Sequence, residues 1–144
     1  MSLVNSIGAA MVAAGRFVGR FTWGAGLVGY LDEYEAVALV SGSTITMFTP
    51  KKGEKYAGIG QLAWDDLGSA AATISVGIAG AVDCFLAATD VQSAADKADL
   101  DAGAGAVIYL GYEFDGATPV ILTTAGGNAA TGTIKLMMVM MACN

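Results

Sequence analysis

The sequence predicts an all-β fold: an antiparallel β-sandwich of jelly-roll-like form, with an N-terminal arm and one short helix. Three observations carry this. Apolar residues make up 55% of the 144-residue chain and charged residues 14%, so short runs can be buried on one or both faces. Those runs are five to eleven residues long and are divided by Gly, Pro, Asn and Asp, the punctuation of turns. One internal segment alone reads as helix, so the strand–helix alternation of a doubly wound α/β fold is missing.

In chain order, the first segment is ambiguous. Val4, Ile7, Met11, Ala14, Val18 and Phe21 recur at three- and four-residue spacing, which places them on one helical stripe. Gly8, Gly15 and Gly19 interrupt that helix, each costing about 1 kcal/mol relative to Ala. From Arg16 onward an extended reading sets Phe17, Gly19, Phe21 and Trp23 on one face and Arg16, Val18, Arg20 and Thr22 on the other. The favoured division is a short helix or arm to about Ala14, then a strand. Residues 1–31 are read as the arm and 32–144 as the sandwich domain.

Strands are predicted at Glu35–Val40, Ser43–Phe48 and Tyr56–Trp64, separated by Ser41–Gly42 and Pro50–Gly53. Ala72–Ile78, Ala81–Ala88, Ala106–Phe114, Val120–Thr124 and Thr131–Met141 follow, divided by Gly80, Asp115–Gly116 and Gly126–Asn128. Asp90–Leu100, rich in Ala and alternating charge and capped by Thr89 or Asp90, is the predicted helix. The nearly continuous apolar run Ile134–Met141 calls for burial on both faces or cover from a neighbouring subunit.

The chemistry of the chain points away from catalysis. It has no histidine and only two cysteines, so no side chain titrates near neutrality unless strongly perturbed. No catalytic residue is assigned. Gly24, Gly26 and Gly29 match G-x-G-x-x-G, but the acid expected about 20 residues later to hold a ribose is missing from Ser43–Thr49; they are read as a hinge, and no cofactor is expected. Asp96, Asp99 and Asp101 suggest a Ca²⁺ loop, but the twelfth position from Asp99 is Leu110 instead of Glu. Met137, Met138, Met140 and Met141 alternate between strand faces and cannot converge on one soft metal. No metal site is assigned. Cys84 lies in an apolar run and Cys143 is penultimate; a buried thiol with a tail thiol is the simpler reading, and a bridge between them stays open.

A net charge of −6 disfavours binding to a phosphate backbone, and nucleic acid is not an expected partner. The apolar opening Leu3–Ala14 is shorter than the about 20 residues that span a bilayer, and Arg16 and Arg20 follow it where a secretory signal would place charge before it. No membrane partner is expected, and the chain reads as soluble and made in a reducing cytoplasm. The repeat Arg16-Phe17, Arg20-Phe21, followed by Trp23, combines residue types enriched at protein interfaces. Arg16, Phe17, Arg20, Phe21 and Trp23 are the expected interface residues.

The runs Thr73–Gly77 (TISVG), Asp83–Ala88 (DCFLAA) and Gly132–Leu136 (GTIKL) resemble, in type and order, the strands of small tailed-bacteriophage virion proteins. The resemblance covers about Ala71–Met141. It implies a capsid decoration or cement protein, a non-enzymatic structural component of the virion made in the host cytoplasm. Its implied partners are the major capsid protein or another virion protein and further copies of itself, with a homotrimer expected from the threefold positions such proteins commonly occupy. The alternative is a tail-tip or fibre-associated module that binds a glycan or receptor through exposed Trp and Tyr.

Overall fold

A computed structural model describes residues 3–5, 18–23, 26–67, 72–91, 94–100, 110–126 and 130–142. The described chain forms ten strands: β1 (Leu3–Asn5), β2 (Val18–Trp23), β3 (Leu27–Leu39), β4 (Thr44–Thr46), β5 (Lys55–Trp64), β6 (Thr73–Ile78), β7 (Ala81–Asp90), β8 (Asp96–Asp99), β9 (Ile121–Ala125) and β10 (Ala130–Met141). They make two five-stranded sheets, ordered β1-β4-β9-β6-β7 and β2-β3-β10-β5-β8. All pairings are antiparallel except β1 with β4, which is parallel.

Alternation within the strands builds the core. In the second sheet, Val28 and Tyr30 of β3, Leu62 and Trp64 of β5, and Ile134, Leu136, Met138 and Met140 of β10 point inward. In the first sheet, Ile45, Leu122, Val76 and Leu86 lie in one cross-strand row and are all fully buried. Both sets belong to one hydrophobic cluster, so the sheets pack face to face. Tyr56 and Phe85 meet edge-on across the gap with ring centroids 4.9 Å apart.

The short helix expected over Asp90–Leu100 is not formed. Asp90 ends β7 and Asp96–Asp99 is β8, paired with β5 from Gln61↔Asp99 to Trp64↔Asp96. A lone helix of this length is marginal in water, whereas the open edge of β5 offers main-chain partners. The Trp64 indole N–H also donates to the Ala94 carbonyl at 3.0 Å, and Ala98 packs against the core. Residue 31, placed at the arm–sandwich division, lies inside β3, so β2 and β3 form one hairpin of the second sheet. Of the expected strand at Ala106–Phe114, residues 106–109 lie outside the described residues. The remainder runs beside the start of β5, where the Tyr56 N–H donates to the Tyr112 carbonyl at 3.0 Å and the Phe114 N–H to the Glu54 carbonyl at 2.8 Å.

β10 has neighbours on both sides, β3 and β5. Its inward residues are buried, while Lys135 and Met141 on the other face are exposed and Met137 is half-buried. The four clustered methionines therefore divide between the core and the outer face.

Candidate functional site

Among the described strands, β2 is an edge of the second sheet. Its register sets Val18, Arg20 and Thr22 opposite Asp32, Tyr30 and Val28, and Gly19, Phe21 and Trp23 opposite Leu31, Gly29 and Leu27. Paired residues share a face, so Arg20 lies on the same side as the buried Tyr30.

On the core side, Arg20 enters a network centred on Glu54, whose side chain is only 4% exposed. Arg20 Nη2 donates to Glu54 Oε2 at 2.7 Å and Arg20 Nε to the Tyr30 hydroxyl at 3.1 Å. The Tyr30 hydroxyl in turn donates to Glu54 Oε1, which also accepts the Lys51 main-chain N–H at 2.8 Å. Tyr30 stacks on Phe48 with centroids 4.8 Å apart and planes 12° apart. Burial by itself opposes the Glu54 charge, but the hydrogen bonds from Tyr30, Arg20 and Lys51 outweigh it and hold the carboxyl below its ordinary range. Burial, followed by the hydrogen bond to Glu54, pushes the Tyr30 hydroxyl up to about 12.

The outer face of the second sheet is read off its cross-strand rows. Phe21, Gly29, Val139 and Ile59 form one row; Gly19, Leu31, Met137, Gln61 and Asp99 form another. Farther along, Glu33 and Lys135 pair at 3.5 Å, and Thr133 Oγ1 donates to Glu35 at 2.6 Å. The face thus changes from apolar beside β2 to charged at its opposite end. Ile59 and Met141 on the apolar side are 54% and 41% exposed, which leaves apolar surface in contact with solvent.

Of the expected interface residues, Arg16 and Phe17 lie outside the described residues. Phe21 and Trp23 pair in the ladder with Gly29 and Leu27, and Arg20 is bonded to a carboxylate of its own chain. Tyr30 and Glu54 had no sequence signal as a site. Tyr30 sits beyond a glycine-rich stretch, and Glu54 follows Lys51-Lys52-Gly53 like an ordinary solvated turn residue.

Among the described residues, no group of three or more Cys, Asp or Glu is arranged to hold a metal ion. Asp96 and Asp99 lie exposed on the edge strand β8, with Asp99 accepting from Gln61 at 3.2 Å; Asp101 is outside the described residues. Gly24 is also outside, Gly26 occupies the β2–β3 turn and Gly29 lies within β3, so this glycine run opens no helix. Cys84 is a buried free thiol, raised by that burial to about 11. Among the described side chains, Tyr30, Tyr56 and Trp64 are buried and Tyr34 and Tyr112 half-buried, so these rings form no exposed row for stacking sugars.

Fold and surface together define an all-β two-sheet module whose described residues present extended sheet faces. No protein-family profile matches the chain, and no curated protein does. Two solved structures share its fold. One is a chain of the capsid of Ralstonia phage GP4, with a TM-score of 0.68 and 18% identity over 99% of each chain. The other belongs to the cyanophage Pam1 capsid asymmetric unit, with a TM-score of 0.64 and 19% identity over 90% of this chain and 96% of that one.

Proposed function

We propose that the chain is a non-enzymatic structural protein of a bacteriophage virion, of the capsid decoration or cement type. The observation that carries this is the end-to-end likeness to a chain in the GP4 capsid, 99% of each being covered. The likeness extends over nearly the whole length of both chains. The strand orders β3-β10-β5-β8 and β4-β9-β6-β7 support a jelly roll, a fold used in viral coats.

In this reading the chain acts as a homotrimer seated on the major capsid protein or another virion protein. Its contact strand is β2, which carries Phe21 and Trp23, with Arg16 and Phe17 immediately before it in sequence. The Arg20 side chain, one-third exposed while bonded to Glu54, is read as the rim of that contact. Large, partly apolar surfaces support assembly in place of chemistry.

Mass spectrometry of purified virions, with light scattering of the isolated protein, tests the proposal. Detection in virions at a fixed copy ratio to the coat protein, and a solution mass of three 14.5 kDa chains, are expected. Absence from virions overturns the virion role. A single-chain mass at micromolar concentration overturns the homotrimer.

A further inference from the structure

The Arg20–Tyr30–Glu54 network ties together segments that are far apart in sequence, and its placement gives it a specific task. Among the described strands, β2 is an edge strand whose one sheet neighbour is β3. Beyond its ladder with β3, Arg20 anchors it to Glu54 at the mouth of the turn before β5. Glu54 collects three donors from three segments: Arg20 on β2, Tyr30 on β3 and the Lys51 main chain in the turn. We propose that Glu54 is a latch fastening β2 to the sandwich, so that neutralising its carboxylate frees the edge strand while the two-sheet core remains folded.

Chemistry and geometry both support this. Hydrogen bonds to a charged partner are worth about twice neutral ones, and Glu54 spends both oxygens on such bonds. The Arg20 guanidinium and Tyr30 hydroxyl reach it from the hairpin, and the buried Asp32 lies two positions beyond Tyr30 on β3. The exposed side chains of Lys51 and Lys52 and the half-buried Lys55 come from the turn and the start of β5, and Lys55 lies 4.0 Å from the exposed Glu113 on the adjoining segment. Arg20 is the cation with a hydrogen bond to the Glu54 carboxylate. The core beneath rests on other contacts, such as Tyr56 against Phe85 and the row from Ile45 to Leu86. Loss of the latch therefore acts on the hairpin and leaves the packed interior. The inference stands apart from the capsid reading.

Hydrogen exchange of the full chain tests it. In Glu54→Gln the amide keeps one acceptor oxygen and turns an NH₂ toward donors. Protection factors of residues 18–23 and of their β3 partners are expected to fall about ten- to hundred-fold, with those of β6 and β9 unchanged. Arg20→Met, which keeps the aliphatic stem at a partly exposed position, should give the same local pattern and decides the matter if Glu54→Gln does not fold. Unchanged protection in β2, or an equal fall across both sheets, overturns the latch.

Discussion

Tyr56 of β5 and Phe85 of β7 meet edge-on at 4.9 Å, and through this contact the two sheets grip each other. Phe85 is fully buried and also lies 6.3 Å from Phe114, so it joins three segments. Truncating it leaves a cavity that rigid sheets cannot close. Phe85→Ala is expected to lower unfolding free energy by about 3–5 kcal/mol, measured by urea denaturation; a loss below about 1 kcal/mol would show that the site collapses freely.

Gly77 and Gly80 flank the β6–β7 turn but should answer differently to alanine. A Cβ at Gly77 would lie 2.2 Å from the Ala81 carbonyl oxygen and 2.4 Å from the Val82 carbonyl carbon, so the main chain of the hairpin itself must move. At Gly80, φ is +86° and nothing stands within 4 Å. Gly80→Ala should cost about 1–2 kcal/mol from backbone strain alone. Gly77→Ala should cost more and reduce the soluble yield, as thermal melts of the pair would show.

The Glu54 and Tyr30 shifts set opposite ends of a pH window. Glu54 is held below its ordinary range, so its contribution is present above the unfolded carboxyl value and is lost as pH falls through the folded one. Tyr30 is raised from 10.0 to about 12; its contribution is complete below 10.0 and is lost as pH rises through about 12. Stability measured by urea titration across pH should therefore decline at both ends. Glu54→Gln should flatten the acid decline and Tyr30→Phe the alkaline one.

Burial raises the Cys84 thiol to about 11, leaving little thiolate at neutral pH. In a Cys143→Ser background the folded protein should react with a thiol reagent at least about a hundred-fold more slowly than the urea-unfolded chain. Equal rates would place Cys84 in solvent.

Much of the sandwich was legible because alternation and punctuation agree. Tyr56–Trp64 was expected where β5 spans Lys55–Trp64, and Thr131–Met141 where β10 spans Ala130–Met141. The first half of β3 was not, for a physical reason: its inward positions run Val28, Tyr30, Asp32, Tyr34, Ala36, and a buried acid breaks the apolar alternation that marks a strand. Local Ala content suggested helix at Asp90–Leu100, where pairing with the edge of β5 decided otherwise. That β2 is a strand was legible from its alternation. Its bond to Glu54 was not, since Arg20 and Glu54 are 34 residues apart and no local pattern links them.

The position of β10 also bears on how the protein comes into being. Its ladders with β3 and β5 reach back to Leu27–Leu39 and Lys55–Trp64, segments that leave the ribosome long before it does. Until residues 130–141 emerge, β3 and β5 have no common neighbour in their sheet. Partners so distant along the chain make slow, late folding the rule. Insertion of β10 between β3 and β5 is therefore the step that completes the second sheet.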